Sequence, residues 1–315
     1  MTYALTAAMD PALIDNFDMD LGNTSETAMA LILSLMMFSV ALGLRTEHFS
    51  FFKTNPKVYL AGVFGQLLGL PILTVLLCYL LHPLPSVAFG MILIACCPGG
   101  NSSNLLALFG RADTALSVSL TATSSILAAF LTPISILFWS ALYPPTRSLL
   151  TEIDLDVLSF LVQTLLILAL PLMLGMFIGR LAPIASLKWQ RPLAMLSGLG
   201  LIAIIIGALM KFAPVLLTLG LSLIGIVIIH NSLAFLLGFG MGVLTKGNTA
   251  QKRALTFEVG IQNSGLGIVI LVTQLGGLGG AGAVAGLWGT WHIIGGLMLV
   301  GLFKVQDRKQ QGRSA

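Results

Sequence analysis

Long apolar runs separated by short polar connections fill almost the whole chain from residue 27 onward. A helix rising 1.5 Å per residue needs about 20 such residues to cross roughly 30 Å of hydrocarbon. Bounded by charges and by Pro/Gly breaks, the runs predict nine transmembrane helices, at about 27–44, 57–81, 86–110, 114–142, 157–179, 192–210, 214–244, 250–276 and 280–303. The alternating apolar and polar pattern of a membrane strand is absent, so the expected fold class is an all-α polytopic membrane protein. Composition agrees: 57% of the 315 residues are hydrophobic and only 9% are charged, against about 25% in soluble domains, and mean hydropathy is +0.98.

The charges orient these spans. With the amino terminus outside, the inner connections and the carboxyl tail hold fourteen basic residues: Arg45, Lys53, Lys57, Arg111, Arg180, Lys188, Arg191, Lys246, Lys252, Arg253, Lys304, Arg308, Lys309 and Arg313. Only Arg147 and Lys211 fall outside, which is a strong positive-inside bias. The outer side collects Asp10, Asp15, Asp18, Asp20 and Glu26 in an acidic tail, together with Glu152, Asp154 and Asp156. No basic region precedes an apolar run near the start, so residues 1–26 are expected as an exposed tail rather than a cleaved signal. The localisation expected is the inner (plasma) membrane, multi-pass, with a cytoplasmic basic tail at 304–315. A pI near 9.1 therefore reflects membrane orientation, and nucleic acid is not an expected partner. Cys78, Cys96 and Cys97 all lie in apolar runs and lack C-x-x-C spacing, so they read as small buried hydrophobes.

Two of the nine runs are interrupted in the middle. The third reads Cys96-Cys97-Pro98-Gly99-Gly100-Asn101-Ser102-Ser103-Asn104, and the eighth reads Glu258-Val259-Gly260-Ile261-Gln262-Asn263-Ser264-Gly265. Broken backbone at that depth is tolerated only inside protein or around a cavity. Interrupted helices at matching positions in two halves are the pattern of secondary transporters built from inverted repeats. Spans one to four (27–142) then match six to nine within 143–303, with an opening helix missing from the first repeat. Glu258 stands out further, because a carboxylate inside a span costs roughly 2.5 kcal/mol or more and so requires a partner or a function.

The two interrupted motifs resemble the C-C-P-G-G-T-A-S-N and E-V-G-M-Q-N-S-G signatures of the bile acid/sodium symporter family, and the likeness runs on through Ala115-Leu116-Ser117-Val118, His230-Asn231 and Trp291-His292. The resemblance implies a panel domain (helices 1, 5 and 6) and a core domain (helices 2–4 and 7–9), with the two broken helices crossing in the core. It implies a first sodium site of Ser103, Asn104, Ser117, Thr121 and Glu258, and a second of Gln66, Glu258, Val259, Ile261 and Gln262. Substrate contacts are implied at Asn101, Ser102, Asn263, Ser264, His292 and Ile293. Asn101 stands where the family usually has Thr, and Ile293 where bacterial members often have Asn; both departures bear on substrate rather than on sodium.

The function expected is sodium-coupled symport of a small organic anion, bile acid-like, sulfated steroid or carboxylate, by alternating access. No cofactor is expected beyond sodium as the coupling ion, and no enzymatic role. Hard cations prefer oxygen, and hydroxyls, amide oxygens and unwound carbonyls can replace a hydration shell. Other readings stay open at this level. Glu258 can titrate in a proton-coupled or passive anion transporter. An intramembrane hydrolase can be assembled from Ser103 or Ser264 with His292 and Glu258, although no G-x-S-x-G or H-E-x-x-H motif supports it. A receptor that binds such anions without moving them is a third. Individually, Gln66 can merely bond a kink made by Gly65 and Pro71, Ser117 and Thr121 can bond back to their own helix, His230 and His292 can be packing histidines, and Met29, Met36 and Met37 can face lipid or pack the panel.

Overall fold

A computed structural model describes residues 23–45, 51–275 and 277–314, without the side chains of 23–26, 101, 204–205, 208–209, 211–220 and 312–314. The acidic tail expected at 1–26 therefore lies almost wholly outside the described residues. Most of those residues are helical, and none lies in a strand: α1 Asn23–Leu42, α2 Phe51–Thr54, α3 Pro56–Leu81, α4 Pro85–Ala95, α5 Asn101–Phe109, α6 Thr114–Leu142, α7 Pro144–Glu152, α8 Val157–Leu181, α9 Pro183–Leu244, α10 Thr249–Gly260, α11 Ser264–Gln274 and α12 Gly279–Ser314. Five stretches are long and apolar enough to cross a membrane unaided: Pro56–Leu81, Thr114–Leu142, Val157–Leu181, Leu221–Leu244 and Gly279–Gln311. The protein is thus a multi-pass membrane protein.

The sequence sets most of the helix starts. Asp113 caps α6 by accepting from Leu116 N at 3.0 Å, and Asp156 caps α8 through Leu158 N and Ser159 N. Asn248 and Gln251 form a reciprocal capping box at the start of α10. Pro56, Pro85, Pro144 and Pro183 occupy first turns, where the missing N–H costs nothing. Inside α3 the turn widens over Gly65–Gly69, with Leu70 N reaching back to Gly65 O. That turn is satisfied by backbone alone.

The expected spans at 86–110 and 250–276 are each two half-helices. α4 ends before Pro98, which cannot continue a helical ladder, and α5 begins at Asn101; α10 ends at Gly260 and α11 begins at Ser264. The spans expected at 192–210 and 214–244 are both part of α9. The Phe235 ring packs on Gly260 and Leu201 packs on Gly265. A straight helix would separate residues 201 and 235 by about 51 Å, whereas five residues of chain span at most about 18 Å. The chain of α9 therefore doubles back between those contacts. Two features were not expected: α7, a short helix after α6, and the continuation of α12 beyond residue 303 to Ser314.

Burial divides the helices sharply. α8 is largely exposed on one face, through Leu158, Leu166, Leu170, Met173 and Phe177 among others, as a lipid-facing helix should be. α4 and α11 are enclosed from Ser86 to Ala95 and from Ser264 to Val272. Half-helices so enclosed can present broken ends to each other rather than to lipid.

Candidate functional site

The two interruptions meet. Gly100 N donates to Ile261 O at 3.3 Å and Asn263 N donates to Pro98 O at 2.9 Å, and Gly99 pairs with Gln262 in an antiparallel bridge. Each break thus satisfies backbone groups of the other, which removes the cost of unpaired amides at this depth. Cys96 O, freed by the first break, accepts from the Thr132 hydroxyl of α6 at 3.0 Å. Asn263 begins α11 by accepting from Leu266 N at 3.1 Å. Gly289 gives α12 its close approach, since a Cβ there would lie 2.5 Å from Ser264 Oγ.

Glu258 is fully buried at this junction. Its Oε1 accepts from Ser103 Oγ and Ser117 Oγ, both at 2.5 Å, and its Oε2 accepts from Thr121 Oγ1 at 2.8 Å. Asn104 Oδ1 lies 2.8 Å from Ser117 Oγ and 3.3 Å from Thr121 Oγ1. Ser103 Oγ is also 2.8 Å from Gly100 O and 3.4 Å from Thr121 Oγ1. Ser117 and Thr121 are four residues apart on α6, so one helix face delivers both. Three hydroxyl protons cannot occupy all these short oxygen–oxygen approaches, and turning the Asn104 amide over does not supply enough. A set of oxygens crowded beyond its protons is the chemistry of a cation site. Among the described residues no three His, Cys, Asp or Glu side chains cluster, so the set carries one formal charge and suits monovalent ions better than zinc-like ones.

Gln66 reaches the same point from α3. A Cβ at Gly99 would sit 2.8 Å from Gln66 Nε2 and 3.2 Å from Glu258 Oε2; only glycine lets these groups converge. Gln66 Nε2 and Gln262 Oε1 are buried without a hydrogen-bond partner, while Gln262 Nε2 donates to Val259 O at 2.9 Å. Gln66 is therefore not spent on the kink in α3. The carbonyls of Val259 and Ile261 lie at the break as expected, each already accepting one hydrogen bond.

A cavity of about 430 Å³ opens beside the junction, within the usual range for small-molecule sites. Ser102, Asn263, Ser264, His292 and Ile293 all line it; Asn101 begins α5 at its edge, and its side chain is outside the described set. The opposite wall was not foreseen: Met36, Met37, Ser39 and Val40 of α1, and Ala194, Ser197, Gly198 and Leu201 of α9. Met29, Met36 and Met37 are buried, so packing rather than lipid contact accounts for them. Their position in sequence carries no signal of the cavity. His292 is buried with Nδ1 unpartnered. His230 is elsewhere: Thr74 gives its one proton to Leu70 O at 2.7 Å, so His230 Nε2 donates to Thr74 Oγ1 at 2.7 Å, and the ring lies edge-on to Trp288.

Arg253 sits on α10, is 4% exposed, and forms a two-pronged pair with Asp307 of α12 at 2.6 and 3.1 Å. It also donates to Gly110 O and stacks on Phe303. Arg253 is thus committed to Asp307, and among the described residues the hydrogen bonds to the Glu258 carboxylate come from hydroxyls. Among the described contacts His292 makes no hydrogen bond to a serine or to Glu258, and its Nδ1 is unpartnered.

Two interrupted helices that meet at a buried carboxylate, with a cavity against the junction, are the pattern of an ion-coupled secondary transporter. The chain belongs to the Sodium Bile acid symporter family, whose pattern matches residues 30–232. It is 28% identical over 90% of its length to the uncharacterized sodium-dependent transporter YocS of Bacillus subtilis, of which it covers 85%. It is 29% identical to the probable sodium/metabolite cotransporter BASS1 of Arabidopsis thaliana, over 88% of this chain and 67% of that protein. It is 26% identical to the human ileal sodium/bile acid cotransporter, over 80% of this chain and 70% of the relative.

Proposed function

We infer that this protein couples the transport of a small organic anion to two sodium ions that share Glu258. The observation that carries the reading is the oxygen set around Glu258, crowded beyond its hydroxyl protons. One ion is held by Ser103, Asn104, Ser117, Thr121 and Glu258, and the other by Gln66, Glu258, Gln262 and the carbonyls of Val259 and Ile261. The orphaned Gln262 Oε1 supports the second assignment. Two cations on one carboxylate leave a net charge of +1, which a monovalent anion in the 430 Å³ cavity neutralises. The half-helices α5 and α11 start at that cavity and turn their positive ends toward it. The relatives' names, sodium/bile acid and sodium/metabolite cotransporter, point to the same class of cargo.

The arrangement proposed around the site is nine crossings in two inverted repeats, 27–142 and 143–303. A panel of helices 1, 5 and 6 corresponds to α1, α8 and the first part of α9. The core corresponds to α3–α6 and the remainder, from the second part of α9 to α12. The amino terminus faces outward and the basic end of α12 faces the cytoplasm of a plasma membrane. Motion of the core against the panel opens the cavity to alternate sides. Reconstitution into proteoliposomes tests the reading with a panel of bile acids, sulfated steroids and small carboxylates, with and without an inward sodium gradient. Uptake stimulated by sodium in wild type and absent in Glu258→Gln is expected. Uptake indifferent to sodium, or driven by a proton gradient alone, sinks it.

A further inference from the structure

A second cavity, of about 330 Å³, lies against the first. It is lined by Asn104 and Thr121 together with Gly43, Leu44 and Gln190, and it meets the larger cavity at Ser39, Val40 and Ala194. The two cavities touch different members of the oxygen sets. The larger reaches Gly99, Gly100 and Gln262, beside the second set. The smaller reaches Asn104 and Thr121, members of the first. Its polar lining is neutral, made of hydroxyls and amides, which suits a cation stripped of part of its water better than an anion. The Gln190 side chain lies flat against Gly43, where a Cβ would come 1.9 Å from Nε2.

Resting on the two-ion reading, we propose that the two sodium ions have separate doors. The ion on Asn104 and Thr121 leaves through the smaller cavity past Gln190, whereas the ion on Gln262 leaves only through the larger cavity. An occupant of the larger cavity therefore traps the second ion and leaves the first free to exchange. Release is ordered by geometry: the first ion departs independently, and the second waits for the anion.

The test plugs each cavity covalently and follows release of radioactive sodium from the purified protein. Cys78, Cys96 and Cys97 are buried, so an introduced cysteine reacts selectively with a sulfonated methanethiosulfonate. Gly198→Cys places the plug in the larger cavity, where a Cβ meets open space; Gln190→Cys places it in the smaller. Each is made in Gln66→Ala, which keeps the first ion, and in Asn104→Ala, which keeps the second. The plug at 198 is expected to slow release of the second ion by roughly tenfold or more, acting on the dissociation rate, and to leave release of the first unchanged. The plug at 190 is expected to slow the first. Equal slowing of both ions by the plug at 198, free release of the second ion despite it, or failure of either cysteine to react overturns the proposal. Absence of bound sodium in the unplugged variants and in wild type strikes the two-ion reading itself, a result separable from wrong doors.

Discussion

Glu258 serves two sets of oxygens that are built in opposite ways. The first is made of short side chains on regular helices: Ser103 and Asn104 on α5, and Ser117 and Thr121 one turn apart on α6. It closes on the carboxylate with hydrogen bonds of 2.5 to 2.8 Å. The second joins Gln66, on the widened turn of α3, to Gln262 and the carbonyls of the α10–α11 break, and it retains orphaned buried atoms on both amides. Hydroxyls rotate toward a carboxylate; amides fixed by irregular backbone do not. The first set therefore closes on the carboxylate as far as its three hydroxyl protons reach, leaving oxygens crowded together, and the second keeps orphaned amide atoms, which cost roughly 1–3 kcal/mol per group.

Glu258→Gln breaks the comparison most completely, because both sets lose their only charge. Sodium-dependent thermal stabilisation, which for wild type grows by mass action with sodium concentration, is expected to vanish. A residual sodium-induced shift in that variant would show that the carboxylate is not shared. Ser117→Ala comes next and strikes the first set alone. Loss of one hydrogen bond to a charged group is worth about 1.5–3 kcal/mol, or roughly 10- to 100-fold in sodium affinity, read from the sodium titration of the melting temperature.

Gly99→Ala sharpens the contrast from the other side. Its Cβ would press on Gln66 Nε2 at 2.8 Å, so the second set weakens by about tenfold, or ~1.4 kcal/mol. The sodium dependence of transport should then become less steep, approaching a single ion. Unchanged steepness would remove Gln66 from the site. Asp156→Ala, at the exposed start of α8, should have the smallest effect and none on sodium. The Ser159 hydroxyl and amide hold the Asp156 carboxyl below its usual range. Its stabilising contribution is therefore present above the ordinary aspartate value of about 3.9 and is lost as pH falls through the lower folded value. Melting measured across that window should show a small acid-sensitive increment in wild type that the variant lacks.

The first set was legible for a physical reason. Ser117 and Thr121 share a helix face at four-residue spacing, and Ser103 and Asn104 follow a Pro-Gly-Gly break, so local rules suffice to group them. Gln66 was legible only through its place in the family pattern; that its amide is not spent on the kink depends on Leu70 N reaching Gly65 O. The cavity wall formed by Met36, Ser39 and Ser197 left no trace in the chain, since such residues occur in any apolar helix. The pairing of Arg253 with Asp307 was not legible, because the two lie 54 residues apart and nothing local records it. The position of the chain reversal in α9 likewise rests on contacts of Leu201 and Phe235 with Gly265 and Gly260.

By itself the sequence determined the solvent and the charge problem. Apolar runs of membrane length oblige the backbone to bond within helices, and one carboxylate in that medium must meet oxygen donors or a cation. Tertiary structure alone decided how the two breaks join through Gly99 and Gln262, which cavity each oxygen set faces, and that the buried base goes to Asp307 rather than Glu258. Hydrophobic periodicity and propensity act over a few residues, whereas these choices join segments more than fifty residues apart through packing that no local pattern encodes.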